Sequence, residues 1–197
     1  MVILGIDPGL AHTGWGIVET RGSECRARAY GCITTTADEP IDMRLGRIYN
    51  QIVEVIDKFS PEALSIESIY FGQNVKSAIP TAHARGAAIV ACSKAGLTVG
   101  EYTPMQIKQA IAGNGAASKE QVASIMQRTF KISDERMLPY LDATDALAAA
   151  YCHYINTATH GVKGKIPLLT KSKKVPTASK SASWDDFVKQ NGHRIRS

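Results

Sequence analysis

The chain has 197 residues, 44% of them hydrophobic, with 23 Lys or Arg against 18 Asp or Glu and a formal charge of +5, which is enough for one domain with a full core and a remainder. No signal peptide or membrane span is expected: Met1-Val-Ile-Leu lacks a basic leader, Asp7 interrupts the first apolar run, and no apolar stretch approaches the roughly 20 residues that a span needs. A cytoplasmic protein with no membrane partner follows as an expectation. The first predicted element is a strand over residues 2–7, an unbroken, β-branched run from Val2 to Ile6 that ends on Asp7, with Pro8 and Gly9 forcing a turn behind the carboxylate. Strands follow at about 13–20 and 27–35 with no helix between them, so the sheet begins antiparallel.

Pro40 then opens a helix to about Phe59, with Met43, Ile48, Ile52, Val55 and Ile56 as its apolar face. After Pro61 a short strand, Ala63 to Ile66, delivers Glu67 to its end, as the first strand delivers Asp7. A helix of small residues is expected from about Val75 to Ala95, with a stripe of Ala78, Ala82, Gly86 and Val90. Pro80 argues that this helix starts later or kinks. One more strand, near Leu97 to Tyr102, precedes a mostly helical remainder. The order β-β-β-α-β-α-β-α-α-α predicts a mixed five-stranded α/β sheet flanked by helices.

The C-terminal part differs in kind. Residues 158–197 hold nine Lys or Arg against Asp185 and Asp186, a charge of +7 that leaves −2 for residues 1–157. With little apolar surface to offset its ordering entropy, this segment is expected to be a basic, disordered tail after a single domain of residues 1–157. It serves equally as a solubiliser or as a nucleic-acid-binding arm, and Trp184 and Phe187 offer a short docking element. The four cysteines, Cys25, Cys32, Cys92 and Cys152, form no Cys-x-x-Cys pair and have no His at zinc-ligand spacing, so they read as reduced thiols, mostly interior.

Two strand ends carry carboxylates, and open α/β sheets hold ligands at that edge. Asp142 and Asp145 follow Pro139 near the start of a strongly helical run, three apart and on one face. Helix capping explains that pair without any function, since both favour the positive end of the helix dipole by roughly 0.3–1 kcal/mol. Convergence of Asp7, Glu67, Asp142 and Asp145 is a different matter. Each pair about 4 Å apart would repel by roughly 4 kcal/mol at an effective dielectric of 20. Hard divalent cations, Mg²⁺ or Mn²⁺, are what make such closeness tolerable, and two ions can activate water on a phosphodiester without a protein nucleophile. No serine or cysteine sits in a nucleophile motif.

Several motifs in series resemble the RuvC family of Holliday-junction resolvases. They are Gly-Ile-Asp-Pro-Gly at the start, Ile-Glu-Ser at Glu67, Ala-Arg-Gly at 84–86, Gln-Ile-Lys-Gln around Lys108, Gly-Asn-Gly-Ala-Ala-Ser-Lys-Glu-Gln-Val from Gly113, and Asp-Ala-Thr-Asp-Ala-Leu-Ala at the close. The resemblance spans residues 1 to about 157. It implies a ribonuclease-H-like fold and a homodimer that makes paired symmetric nicks in four-way junction DNA with two Mg²⁺ ions per site, for which Mn²⁺ substitutes. The ends left would be 5′-phosphate and 3′-hydroxyl, and the branch-migration proteins RuvA and RuvB would be partners. Carried onto this sequence, the catalytic and metal-binding acids are Asp7, Glu67, Asp142 and Asp145. The DNA contacts are Lys108, Lys119, Arg85, and Tyr70 or Phe71 as a base-stacking aromatic, a contact worth roughly 1–3 kcal/mol. Ser118 to Gln121 is also an ordinary capping box, which would expose Lys119 at a helix start in any protein. Likewise Tyr70 and Phe71 can tuck under the next helix.

Rival readings stay open at this point. Asp-Pro-Gly with Thr13-Gly-Trp-Gly16 also resembles the first phosphate loop of the actin and heat-shock ATPase superfamily, although 157 residues leave no room for its duplicated fold. A junction-binding protein without catalysis would lack one of the acids, and all are present. A ribonuclease-H-like enzyme that cuts RNA hybrids uses the same acids.

Overall fold

The computed structural model describes residues 1–22, 24–69, 75–132 and 141–160. The elements follow the expected order: β1 (Val2–Asp7), β2 (His12–Arg21), β3 (Glu24–Thr34), α1 (Ile41–Phe59), β4 (Ala63–Glu67), α2 (Val75–Lys94), β5 (Thr98–Tyr102), α3 (Pro104–Ala112), α4 (Lys119–Phe130) and α5 (Leu141–His160). They build one five-stranded sheet in the order β3-β2-β1-β4-β5. β1 pairs antiparallel with β2 and parallel with β4, β2 pairs antiparallel with β3, and β4 pairs parallel with β5. This is the mixed sheet expected of a ribonuclease-H-like fold.

Alternation along the strands sorts the side chains onto two faces. Leu4 and Ile6 of β1, Ile17 of β2, Ile33 of β3 and Leu64 and Ile66 of β4 point to one face, where they pack with Ile48, Ile52, Val55 and Ile56 of α1 and Ala84, Ala88, Ala91 and Cys92 of α2. The other face carries Ile3 and Val18 against Leu147 and Ala150 of α5, but it is small where the helix comes closest. Gly5, Ser65 and Gly100 lie under α5, and a Cβ on Gly5 would stand 1.9 Å from the Ala146 carbonyl oxygen. Helix α5 therefore lies directly on the sheet backbone, and the Ser65 hydroxyl donates to the Ala149 carbonyl at 2.6 Å across that contact. α3 and α4 complete this layer, packing Ile107, Val122 and Met126 against Ala148, Ala149 and Cys152 of α5.

Three expectations are corrected. Met43 is 63% exposed rather than part of the α1 face. At about 100° per residue it lies well over a quarter-turn from Ile48 and nearly opposite Ile52, so it never belonged to that stripe. α2 does not start late: it opens at Val75 and runs through Pro80. Pro80 sits close enough to the N-terminal end that the hydrogen bond it forfeits is one of the first in the helix. The face that α2 turns to the sheet is Ala84, Ala88, Ala91 and Cys92, while Gly86 and Val90 of the expected small-residue stripe are exposed. α5 runs to His160. Residues 161–197, Trp184 and Phe187 among them, lie outside the described residues. No described helix is long and apolar enough to cross a membrane.

Candidate active site

Asp7 and Glu67 are adjacent because their strands are. β1 and β4 run parallel in a register that pairs Ile6 with Ile66. One residue further on, both strands end and both carboxylates turn to the α5 face, the parity of Gly5 and Ser65. α5 supplies the next acid, and its approach is set by glycine: a Cβ on Gly14 of β2 would meet the Asp142 carbonyl oxygen at 2.0 Å. The first turn of α5 thus rests on bare strand, and Asp145, one turn on, faces the two strand ends.

These groups line a cavity of about 150 Å³, with Asp7, Glu67, Asp145, Lys108 and Lys119 at its polar edge and Pro104, Ile107, Val122 and Ala148 as its apolar wall. Both lysines arrive on capped helices. α3 opens with Thr103 at its N-cap, Pro104 behind it and a reciprocal bond with Gln106. α4 opens with the expected Ser118–Gln121 box, which leaves Lys119 at the first helical position. From there the Lys119 ammonium reaches the Asp145 carboxylate at 2.8 Å. The Thr103 box has a Thr-Pro-Met-Gln signal that sequence reasoning missed.

The electrostatics follow from burial and crowding. Asp7 is raised from 3.8 to about 7, first by burial, then by the Asp145 and Glu67 carboxylates, with Lys119 opposing and Asp142 adding the smallest increment. Glu67 is raised by burial and by Asp145, against the pull of Lys119 and Lys108. Lys119 is raised chiefly by its hydrogen bond to Asp145. Burial and neighbouring negative charge thus both oppose ionisation of Asp7. Hard oxygen donors, crowded and short of cations, fit a divalent ion of the Mg²⁺ type. Capping alone leaves the shift at Asp7 unexplained.

The other expected residues divide. Asp142 lies in the first turn of α5 but does not line the cavity: its Oδ2 is 4.0 Å from the Cys32 thiol, on the side of β2 and β3. Arg85 faces the opposite side of the sheet, where it pairs with Glu101 at 2.6 Å and donates to the Glu67 carbonyl at 3.3 Å. Tyr70 and Phe71 lie outside the described residues. Sequence reasoning passed over Glu101, His12 and Cys32. Glu101 could have been found from strand parity, which sets it on the face of α2. His12 and Cys32 share no motif, and only the pairing of β2 with β3 brings them together.

Comparison with known proteins reaches most of the chain. Residues 3–153 match the family described as "Crossover junction endodeoxyribonuclease RuvC". A protein of that description from Porphyromonas gingivalis is 40% identical over 195 residues, which covers 99% of this chain and 97% of the relative. Another, from Moorella thermoacetica, is 45% identical over 153 residues, covering 78% of this chain and 90% of its own. Among solved structures, T. thermophilus RuvC in complex with Holliday junction substrate superposes with a TM-score of 0.75 at 37% identity, covering 81% of this chain and 96% of that one. The alignment to the first relative, at 99% of the chain, takes in the basic C-terminal segment.

Proposed function

This chain belongs to the RuvC family of crossover junction endodeoxyribonucleases, and from that premise we propose that it resolves four-way DNA junctions by paired, symmetric nicks that leave 5′-phosphate and 3′-hydroxyl ends. The observation that carries the chemistry is the cavity shared by Asp7, Glu67 and Asp145, in which Asp7 is pushed up to about 7. Asp7, Glu67 and Asp145, joined by Asp142 from the same helix turn, would hold two Mg²⁺ ions, with Mn²⁺ as a substitute. Held there, the ions would supply Lewis-acid activation of a water and charge stabilisation at the departing 3′ oxygen.

The chain's own contribution is positioning. Asp7 and Glu67 stand on the two central parallel strands, whose backbone is held on both sides, so their carboxylates keep a common orientation. Lys119 neutralises Asp145 when no ion is bound. Its side chain is 75% exposed, free to turn to a scissile phosphate once the carboxylate is otherwise engaged. Lys108 offers a second phosphate contact from the rim. Arg85 braces the β4 end through the Glu67 carbonyl instead of touching DNA. Tyr70 and Phe71, directly after that strand end, remain the proposed base-stacking aromatics. The exposed Ile79, Gly86 and Val90 of α2 support a homodimer through that helix, since a monomer would leave them in water. The basic segment beyond α5 adds salt-dependent affinity for DNA. RuvA and RuvB are the partners, in the cytoplasm, that family membership suggests.

Parallel incubation with a synthetic four-way junction, linear duplex and RNA–DNA hybrid, with and without Mg²⁺, tests this reading. Symmetric nicking of the junction alone, and only with the ion, is expected. Equal cutting of linear duplex, or preference for the hybrid, would overturn it.

A further inference from the structure

Beside the acidic cavity the described residues assemble a second donor set of different chemistry. His12 opens β2, Cys32 lies in β3 and Asp142 in the first turn of α5, and their imidazole nitrogen, thiol sulfur and carboxylate oxygen lie within 4.8 Å of one another. The hairpin register explains the meeting: His12 pairs with Thr34 and Gly14 with Cys32, so His12 and Cys32 are diagonal neighbours on the face turned to α5. Gly14, between them, has no side chain, and the Asp142 backbone occupies the space a Cβ would need. Asp142 is thereby lowered between the imidazole and the thiol. The thiol's contacts, 3.8 Å to the Ile33 carbonyl and 4.0 Å to Asp142 Oδ2, are long ones that a metal–sulfur bond would readily replace.

Nitrogen, sulfur and oxygen donors suit a borderline-soft ion, whereas Mg²⁺ prefers oxygen alone. Three protein ligands with a water in the fourth position make a tetrahedral zinc site. With Zn–S about 2.3 Å and Zn–N about 2.0–2.1 Å, donors on one ion stand about 3.5 Å apart. The set must therefore close by about 1 Å, within reach of rotation of the exposed His12 ring and of the Cys32 χ1 angle. The thiol proton passes to solvent as the metal–sulfur bond forms.

We propose that His12, Cys32 and Asp142 form a site for a borderline-soft divalent cation such as Zn²⁺, and that its occupancy holds Asp142 in its place beside Cys32, away from Asp7, Glu67 and Asp145, and switches nicking off. The binding site stands on the three donors alone; the switch rests on the reading of Asp142 as the fourth acid of the nuclease.

Cobalt(II) reports the site directly, because thiolate ligation gives a near-ultraviolet charge-transfer band that carboxylate ligation does not. Titration of the Mg²⁺-free protein with Co²⁺ is expected to produce that band, and Zn²⁺ to abolish it. Asp7→Asn should keep the band, Cys32→Ser should lose it, and His12→Ala should weaken Co²⁺ binding at least about tenfold through loss of one ligand. In nicking assays with Mg²⁺ in excess, Zn²⁺ should inhibit the wild type, and both variants should need at least about tenfold more Zn²⁺ for the same inhibition while cutting normally without it. His12 is exposed, so His12→Ala keeps the test valid even if Cys32→Ser folds poorly. A missing band, or a band that survives in Cys32→Ser, would overturn the site. A band with no inhibition, or equal inhibition of both variants, would overturn the switch. Loss of nicking in the Asp7→Asn protein is the separate test of the nuclease, and its outcome leaves the cobalt result unaffected.

Discussion

The two faces of the sheet are built from alternate residues of the same strands and do opposite work. Leu4, Ile6, Leu64 and Ile66 fill a thick apolar layer beneath α1 and α2. Their neighbours Gly5 and Ser65 leave almost no layer at all, so that α5 lies against the backbone. At the strand tips this thinness matters, because Asp7 and Glu67 extend the small-residue face and meet Asp145 of the helix resting on it. Volume is conserved on one side and surrendered on the other, and the acidic cavity forms where it is surrendered.

The comparison can be broken most severely at the cavity itself. Asp7→Asn is expected to lower junction nicking roughly thousandfold or more while leaving junction binding nearly intact, since the variant keeps the shape and loses the charge that holds cations. Single-turnover cleavage beside a gel-shift titration measures both, and normal cutting would refute the assigned role.

The next largest effect sets the faces against each other. Leu4→Ala should destabilise by about 3 kcal/mol through the cavity it leaves, yet protein that remains folded should nick at the normal rate. Gly5→Ala adds one methyl where the Ala146 carbonyl already stands. It should cost roughly 3 kcal/mol by overpacking and also depress the nicking rate, because the helix that carries Asp145 must move. Denaturant unfolding and single-turnover rates on both variants decide; a Gly5→Ala protein with full activity would show that the helix position is not what builds the site.

Burial of acid on the thin face also has a pH signature. The folded-state value of Asp7 lies above its ordinary one, about 7 against 3.8. Between these values the folded chain binds the proton more tightly than the unfolded chain, so the Asp7 contribution to stability falls as pH rises through that window. In chelator, Asp7→Asn should therefore be more stable than wild type by on the order of 4 kcal/mol at pH 8, with the advantage vanishing towards pH 4. A pH-independent difference would mean that Asp7 is not held protonated. The smallest expected effect is at the rim: Lys119→Ala should slow nicking about tenfold by removing a phosphate contact, with no loss of thermal stability, since the pair it forms with Asp145 is largely exposed on the lysine side.

Much of this was legible before any coordinates. Strand ends at Asp7 and Glu67, the order of the ten described elements and the Ser118 capping box follow from apolar period, turn residues and side-chain chemistry, all of which act over a few neighbouring residues. Asp142 and Asp145 were visible as a pair at a helix start, and the motifs resembling the resolvase family implied their role. Two slips were themselves local: Met43 was assigned to a helix face that its angle excludes, and Pro80 was expected to delay or kink a helix that opens at Val75 and runs through it.

What the linear order settled on its own is therefore which residues are strand, helix or turn, and which of them carry charge to the strand tips. Tertiary structure alone decided that Asp145 faces Asp7 while Asp142 turns towards Cys32 and His12, that Arg85 spends its charge on Glu101, and that α5 descends onto Gly5 and Gly14. The reason is that propensity and period are properties of neighbours along the chain. The distance between two carboxylates is set by how closely a helix can approach a sheet, and that depends on the absence of side chains at glycines far away in sequence.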